Sequence, residues 1–468
     1  MKRLFILAVG ALLALPLTAQ NNLTLYNMKT VPQRFYVNPA RQSDAKVFVG
    51  VPGISSAYFD FGLTTFKIRD ILNAIETDNQ GNNVFVVEEF AKGFKKNNVL
   101  SLNNSLDVLS FGLKLKKNYV FMNYSVHSNI RLSFPGDLFQ FLAEGNGGRN
   151  LNRKFDFGFG FDALQYGELG FGYNREIIAD KLTVGARVKF VKGFNVINTA
   201  KSELNFTTDK QTFDYLVQSD IEINTANSFQ NFGGSDPFNN LDSEPVTAGD
   251  VLGAFFGGGN RGIGLDIGME FTPTKAFTLS ASITNLGRIN WNTNTFNWKS
   301  QNPGATYTYT GLEIEDAFNF NQNELENALE RIGDTITSRF DLNENNESFK
   351  TGMFAQFYLG GNYNVAKHHN AGILFHGTFY NKTIDPAITL SWNSRLTRIL
   401  GISASYSVAN NSFVNAGAGI SLNFGSVQTY FVSDNLIGLF AHKSVNTVNL
   451  RTGMNLTFGR KGKKKGRK

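Results

Sequence analysis

The final strand-like stretch of the chain, residues 448–458, alternates between two kinds of side chain. One face consists of Val448, Leu450, Thr452, Met454, Leu456 and Phe458. Successive side chains of a β-strand point to opposite faces, so the stretch has this apolar or nearly apolar face and a polar face that carries Arg451. A tilted strand of about 9–11 residues crosses a bilayer, whereas strands of soluble sandwiches usually have about five or six. Taken alone, the stretch fits a membrane barrel or a soluble sandwich.

The same alternation recurs along the chain and predicts about fourteen antiparallel strands. The short turns fall at one end of the predicted sheet, at residues 116–118, 177–180, 272–275, 366–369 and 424–426. The long connections fall at the other end, at residues 67–100, 133–154, 200–260 and 292–349. Bacterial outer-membrane barrels have an even number of strands, short periplasmic turns and longer extracellular loops. The predicted fold class is therefore all-β, a transmembrane antiparallel β-barrel with both termini on the periplasmic side.

The sequence also predicts local structure within the long connections and one irregularity in a strand. Residues 68–75, 135–142 and 324–339 have the spacing or opening residues of short extracellular helices. Residues 204–206 and 213–223 predict a hairpin that extends beyond the membrane. The Asn285-Leu286-Gly287 stretch interrupts a strand and predicts a bulge or bend.

The two ends of the chain differ from the barrel. Residues 1–19 combine a basic start, an apolar core and a small-residue cleavage site, which predicts a secretory signal peptide and a place in the outer membrane of a Gram-negative bacterium. Residues 20–46 are polar and irregular and are predicted to be an N-terminal plug segment that stays out of the sheet. The barrel is predicted over residues 47–459. The sequence contains no cysteine, so packing and hydrogen bonds must hold the fold without disulfides.

The charge distribution argues against nucleic-acid binding. The net charge is +7, and residues 460–468 contain seven bases. The rest of the chain is therefore close to neutral, which does not suggest a nucleic-acid partner. We interpret residues 460–468 as a basic periplasmic tail, either disordered or in contact with an acidic partner.

A predicted hairpin turning at residues 177–180 suggests one polar site. A four-residue turn there places Glu168 opposite Lys189, with Arg187 diagonal to Glu168, all on the face away from the apolar side chains. The trio is either a structural ion pair in a wet lumen or a contact for a polar ligand. Alternation on other strands points further polar side chains the same way, and these candidates are His127, Arg131, Asp266, Glu270 and Arg451.

Catalytic and cofactor motifs were not found. The sequence has no Walker loop, no HExxH motif and no cysteine-based metal site, so we predict no enzyme, cofactor or metal. His368 and His369 lie in a predicted short turn, where solvated side chains are expected. His127 and Ser125 lie two residues apart on one strand, and no third group is indicated that would orient the histidine.

Several of these stretches resemble a known family. They are Asn38-Pro39-Ala40, Gly264-Leu265-Asp266-Ile267-Gly268, residues 285–291, Ser433-Asp434-Asn435 and residues 449–453. With them, the chain resembles an uncharacterised outer-membrane family of Bacteroidota, known only as a domain of unknown function. More distantly it is similar to the long-chain fatty-acid transporter superfamily. That resemblance implies fourteen strands and a lumen plugged by an N-terminal segment that contains Asn-Pro-Ala. The two long insertions depart from it, and no fatty-acid pocket can be matched residue by residue.

Two functional hypotheses follow. The first is passage or binding of a small hydrophobic or amphipathic molecule, which rests on the plug-like segment and on the resemblance. The second is a non-transporting envelope scaffold, a protein partner in a secretion or gliding assembly, which rests on the two long insertions and the basic tail. In both, the expected surroundings of the barrel are outer-membrane lipid.

Overall fold

The computed structural model describes most of the predicted barrel and the segment before it. The described residues are 22–64, 67–77, 83–228, 257–304, 306–309, 342–380, 383–409, 412–440 and 446–460. The predicted signal peptide, the predicted helix at 324–339 and residues 461–468 of the basic tail lie outside these ranges.

Fourteen antiparallel strands form the wall of the barrel. The first, β1, has two pieces, Val47–Gly50 and Ala57–Leu63. The others are β2 (Asn97–Leu115), β3 (Asn118–Pro135), β4 (Gly160–Ile178), β5 (Leu182–Thr208), β6 (Arg261–Phe271), β7 (Phe277–Trp291), β8 (Ala355–Ala366), β9 (His369–Tyr380), β10 (Thr383–Arg395), β11 (Leu400–Ala409), β12 (Ser412–Phe424), β13 (Val427–Ser433) and β14 (Thr447–Phe458).

The sheet closes on itself. Strand β14 pairs with β13 on one side and with β1 on the other, where Val47 lies opposite Phe458 and Ala57 opposite Thr452. Every other strand of the wall pairs with the wall strand before it and the wall strand after it in chain order. The long connections between these strands contain further residues that lie outside the wall. Closure leaves no free strand edge in the wall. The predicted all-β fold, an antiparallel barrel of fourteen strands, is confirmed.

Six short turns lie at one end of the barrel and include the five that the sequence predicts, whereas the two-residue β9–β10 and β11–β12 connections join strands at the other end. Residues 116–117, 179–181, 272–276, 367–368, 396–399 and 425–426 connect strands at this short-turn end, where Val47 and Phe458 also lie. The long connections join strands at the opposite, loop end.

The outer face of the wall is apolar. Large hydrophobic side chains alternate along the strands and face outward, with exposures of 58% for Ile263, 55% for Leu390 and 54% for Phe190. The residues between them face inward and are mostly polar and buried, as in β14, where Asn449, Arg451 and Asn455 are buried. A continuous exposed apolar surface of this kind is typical of a wall in contact with lipid.

Among the described residues, no helix is long and apolar enough to cross a membrane.

The long connections carry short helices and a second set of strands. The helices are α1 (Ile68–Asn73), α2 (Val87–Ala91), α3 (Asp137–Glu144) and α4 (Leu436–Phe440). Single 3₁₀ turns occur at Leu25–Asn27, Pro32–Tyr36 and Gly148–Asn150. The additional strands are Ile75–Thr77, Asn83–Phe85, Lys154–Asp156, Tyr215–Asn227, Thr295–Ser300, Thr306–Tyr309, Leu342–Asn345 and Phe349–Gly352. Strand β5 continues past the wall and pairs with Tyr215–Asn227, which forms the hairpin that the sequence predicts.

Residues 22–46, here named the N-terminal segment, lie inside the barrel and form no strand. Their side chains contact strands from all around the wall. Thr24 bonds Ser405 of β11 at 2.7 Å, Tyr26 bonds Ser280 of β7 at 2.9 Å, and Gln33 bonds Asn455 of β14 at 2.7 Å. Only a segment within the ring can reach strands on opposite sides of it.

The break in β1 faces the N-terminal segment. Pro52 removes a backbone donor and Gly53 adopts φ +74°, so residues 51–56 leave the regular ladder. The backbone of the break still bonds both neighbouring strands, with Gly53 N–H donating to the Val108 carbonyl at 3.1 Å and Met454 N–H to the Ile54 carbonyl at 2.8 Å. On the inner side, the Gln33 amide donates to the Ser55 carbonyl at 3.3 Å. The wall therefore stays sealed where the strand is interrupted.

Candidate luminal binding site

The predicted Glu168–Lys189 pairing is wrong in register but correct in face. In the structure Glu168 lies opposite Val191, and Lys189 lies opposite Gly170. The turn contains only residues 179–181, and register shifts occur between Glu176 and Ile178 and between Gln165 and Tyr166. The turn at 179–181 and the shift between Glu176 and Ile178 displace the pairing at Glu168 by two positions, whereas the shift between Gln165 and Tyr166 lies beyond Glu168. Because side chains alternate with period two, an even displacement keeps them on the inner face.

Four charged side chains meet at this point and balance one another. We name Glu168, Arg187, Lys189 and Asp266 the luminal charge cluster. Arg187 Nη2 lies 2.6 Å and Lys189 Nζ 2.8 Å from the two carboxylate oxygens of Asp266. Glu168 lies 3.5 Å from Arg187 and 3.4 Å from Lys189. All four side chains are no more than 3% exposed, so each charge depends on its partners. The sequence predicted all four residues, and the structure brings them together.

A bulge in the wall positions Asp266. The register of β6 against β7 shifts between Leu265 and Ile267, opposite Asn285, which has φ +59°. The shift lets the Asn285 N–H donate to Asp266 Oδ1 at 2.6 Å, while Lys189 donates to the Asn285 side chain. The irregularity predicted at residues 285–287 is present, and it places Asn285 in hydrogen-bond contact with the charge cluster. The sequence did not identify Asn285 itself as a site residue, although its interruption of the alternation was a signal.

A chain of hydrogen bonds connects the charge cluster to the N-terminal segment. Asn123 donates to Glu168 at 3.1 Å and to Ser125 at 2.9 Å, and Ser125 donates to Asp107 at 2.8 Å. The Tyr36 hydroxyl donates to the other oxygen of Asp107 at 2.6 Å. Sequence reasoning missed Asp107 and Tyr36. Alternation on β2 could have placed Asp107 inward, but the N-terminal segment has no periodicity that would single out Tyr36.

The remaining predicted residues occupy different parts of the lumen. The His127 ring stacks on Tyr166 with centroids 4.8 Å apart, and its Nε2 lies 3.7 Å from Glu168. Arg451 donates to the Asn22 side chain at 2.7 Å and to the Ser56 hydroxyl at 2.6 Å. Glu270 lies nearer the short-turn end, within electrostatic range of Lys29, and makes no ion pair with a described residue. The structure thus adds His127 to the border of the charge cluster and separates Arg451 and Glu270 from it.

Arg131 forms an ion pair across the bore. Its Nη1 lies 3.3 Å from Asp385 Oδ2. Arg131 belongs to β3 and Asp385 to β10, which stand opposite each other in the fourteen-strand ring. Arg131 lies farther toward the loop end than His127 on the same strand. This pair therefore bridges the lumen on the loop side of the charge cluster.

The Asn38-Pro39-Ala40 stretch combines a turn with wall contacts. Asn38 Oδ1 accepts the Ala40 N–H at 2.9 Å, the geometry of an Asx turn. The Asn38 amide also donates to the Met269 carbonyl of β6 at 3.2 Å, and the Pro39 carbonyl accepts from Asn174 of β4 at 2.8 Å. The turn fits because Gly185 lies against it, where an added Cβ would stand 2.4 Å from the Pro39 carbonyl oxygen.

Two neighbouring cavities lie around these groups. The larger, of about 90 Å³, lies between the N-terminal segment and the wall. Its lining includes Tyr36, Tyr58, His127, Tyr166, Glu168, Arg187, Phe354 and Arg451. The smaller, of about 30 Å³, shares part of this lining and extends to Arg131 and Asp385. The described residues contain no group of three or more side chains that could hold a metal ion.

Fold and lumen together define a closed fourteen-stranded antiparallel β-barrel with an apolar outer face. The chain belongs to the family of unknown function DUF5723, whose model matches residues 39–434. No curated protein matches the sequence.

Several solved structures are similar to this chain at low sequence identity. The Ralstonia pickettii toluene transporter TbuX has 11% identity and a TM-score of 0.42, with 92% of this chain and 95% of that chain covered. A Pseudomonas aeruginosa FadL homologue has 9% identity and a TM-score of 0.42, with 95% and 99% covered. The Pseudomonas putida toluene transporter TodX has 9% identity and a TM-score of 0.36, with 94% and 93% covered.

Proposed function

We propose that this protein is an outer-membrane channel for a small amphipathic molecule and that the N-terminal segment closes the channel at rest. The apolar outer wall supports insertion in a bilayer, and the distribution of short turns supports a periplasmic position for the short-turn end. We assign no catalytic role to any residue.

The observation that carries the proposal is the mixed lining of the larger luminal cavity. Three tyrosine rings and Phe354 offer surfaces for an apolar group. Glu168, Arg187 and Arg451 offer fixed charges for a polar group, because each is already held by neighbours. Binding sites for small molecules combine apolar walls with a few positioned polar groups in this way. A molecule with both an apolar body and a polar end suits such a lining better than a pure hydrocarbon does.

We infer that two barriers flank the cavity. The Arg131–Asp385 pair spans the bore on the loop side, and the N-terminal segment fills it on the short-turn side. Most contacts of the segment are neutral hydrogen bonds, such as those of Thr24 and Tyr26. A neutral hydrogen bond contributes only about 0.5–1.5 kcal/mol net. Displacement of the segment would also break its bonds to buried charges, those of the Leu23 and Thr24 N–H groups to Asp434 and of the Tyr36 hydroxyl to Asp107.

Uptake by cells tests the proposal. Radiolabelled decanoic acid is offered to a strain that lacks the gene, to the same strain carrying the wild-type gene, and to one carrying His127→Leu. We expect saturable uptake with the wild-type gene only, and a higher concentration for half-saturation with His127→Leu, because His127 lines the cavity. An exposed-site variant, Lys210→Gln, serves as the control. Equal uptake by the null and wild-type strains would refute the channel proposal.

A scaffold function is a second candidate, and the sheet beyond the wall favours it. Strand β5 extends to Thr208 and pairs with Tyr215–Asn227, which in turn pairs with Thr295–Ser300, and that strand pairs with Leu342–Asn345. Such a platform at the loop end could present a surface to an envelope partner. Affinity purification of the intact protein after cross-linking tests this function. A stoichiometric partner that is lost when the Thr208–Tyr215 hairpin tip is shortened would support it, and recovery of none would refute it.

A further inference from the structure

A separate cavity of about 210 Å³ opens at the short-turn end, between the N-terminal segment and the wall. Its lining includes Lys29 of the segment, Lys367 of the β8–β9 turn and Arg395 at the end of β10. Among the described residues that line it, Asp44 is the only acidic one. Asp44 is already paired with Arg395 at 3.3 Å. Lys29 and Lys367 are thus left without an ion-pair partner within the described part of the chain.

More positive charge lies close to Lys29, on two arginines that do not themselves line the cavity. Arg34 and Arg41 of the N-terminal segment are 6% and 2% exposed. Arg34 donates to the Gln42 carbonyl at 3.1 Å, and Arg41 stacks on Tyr26 and donates to Ser280 at 3.2 Å. Neither guanidinium pairs with a carboxylate of the described residues, and the buried Nε of Arg41 has no hydrogen-bond partner. Buried charges without counter-charges are costly, so an anion nearby would stabilise this arrangement.

The electrostatics of Lys29 agree with this charge imbalance. Its side chain is accessible from the cavity, yet partial withdrawal from bulk water and the neighbouring Arg34 and Arg41 lower its pKa. Asp44 and Glu270 act in the opposite direction but do not reverse the shift. An anion in the cavity would supply the missing counter-charge.

We propose that this cavity binds a small oxyanion, a carboxylate or a phosphate, between Lys29 and Lys367. Charge-assisted hydrogen bonds from lysine are suited to both groups. The cavity opens at the short-turn end among turn and strand-end residues, and its volume is too small for a lipid chain. Because Lys29 belongs to the N-terminal segment and Lys367 to the wall, a bound anion would connect the two. The inference does not depend on the channel proposal.

Two sources could supply this chemistry, a free small anion or an acidic side chain of a partner. Isothermal titration calorimetry on the full-length protein in detergent distinguishes them, with citrate, inorganic phosphate and hexaglutamate titrated separately at matched ionic strength in chloride buffer. We expect one-site binding of at least one probe. Lys367→Gln, in an exposed turn, and Lys29→Gln should each weaken that binding about tenfold, since a charged hydrogen bond is lost. Lys181→Gln, in another turn at the same end, is the matched control and should bind like the wild type.

Each titration result either identifies the source of the anion or overturns the proposal. Saturation by citrate or phosphate supports a free anion, and saturation by hexaglutamate alone supports an acidic segment of a partner. Absence of saturation by all three probes overturns the proposal. So does binding that is unchanged in Lys367→Gln and Lys29→Gln, or weakened equally in Lys181→Gln, because the anion would then lie elsewhere or respond only to total charge.

Discussion

Arg131 of β3 and Asp385 of β10 meet across the bore at 3.3 Å, although their strands stand on opposite sides of the ring. The two side chains are 13% and 3% exposed, so the pair is largely shielded from water. It bridges the lumen at one level, and the N-terminal segment fills the lumen below it. The channel proposal requires that the Arg131–Asp385 pair separates and that the N-terminal segment moves.

Asp385→Asn should ease passage from the loop side. The change removes one charge of the bridge, and losing about 1 kcal/mol of pairing would raise the open population roughly fivefold. Swelling of proteoliposomes in a small neutral sugar such as arabinose measures the rate. Asp137→Asn is the control, because Asp137 pairs with Arg153 at 3.0 Å in the loops and not across the bore. A rate equal to that of the wild type would show that the bridge does not limit passage.

Asp266→Asn should destabilise the barrel by about 3–5 kcal/mol, because it leaves two buried cations with one carboxylate between them. Denaturation in urea of the protein folded in lipid vesicles measures the loss. Asp220→Asn breaks the surface pair with Lys201 and should cost no more than about 1 kcal/mol.

The double variant Asp266→Asn with Lys189→Met restores the balance of the charge cluster, with one cation left for Glu168. It should recover part of the stability that Asp266→Asn loses. If Asp266→Asn were no more destabilising than Asp220→Asn, the cluster would not hold the wall as we describe.

Gly185→Ala should loosen the N-terminal segment without unfolding the wall. The added methyl would stand 2.4 Å from the backbone carbonyl oxygen of Pro39, which must move away. We expect a higher conductance in planar bilayers and easier proteolysis of the segment. Gly361→Ala is the matched control on another strand, since the nearest atom there is 3.5 Å away. Similar conductance of the two variants would argue that the Asn-Pro-Ala turn does not keep the channel closed.

The strand pattern of this chain was predictable because one face of each strand meets lipid. Alternation in residues 448–458 assigned Asn449 and Arg451 to the inner face, and both are buried there. The same rule assigned Glu168, Arg187, Lys189 and Asp266 inward. Because alternation has period two, these assignments hold despite the pairing error in the β4–β5 hairpin, where the turn at 179–181 and one bulge displace Glu168 from Lys189 by two positions.

The contacts that could not be predicted join residues that are close in space but follow no repeating pattern in the sequence. Glu270 was grouped with Asp266, but four residues along a strand separate them by about 13 Å, and Glu270 lies toward the short-turn end. The contact of Arg131 with Asp385 depends on the cross-section of the barrel. The alternation along each strand does not show which side chains meet across the bore. The path of the N-terminal segment is set by single side-chain contacts such as Tyr36 with Asp107, and nothing in its sequence pattern indicates them.

The most direct test of the account is whether the N-terminal segment must move for passage. The chain has no cysteine, so Thr24→Cys with Ser405→Cys introduces a single pair at positions whose hydroxyl oxygens lie 2.7 Å apart. Uptake of radiolabelled decanoic acid by cells with this variant is measured after oxidation and again after reduction. We predict that the disulfide abolishes saturable uptake and that reduction restores it. Uptake that is the same in both states would contradict the central claim.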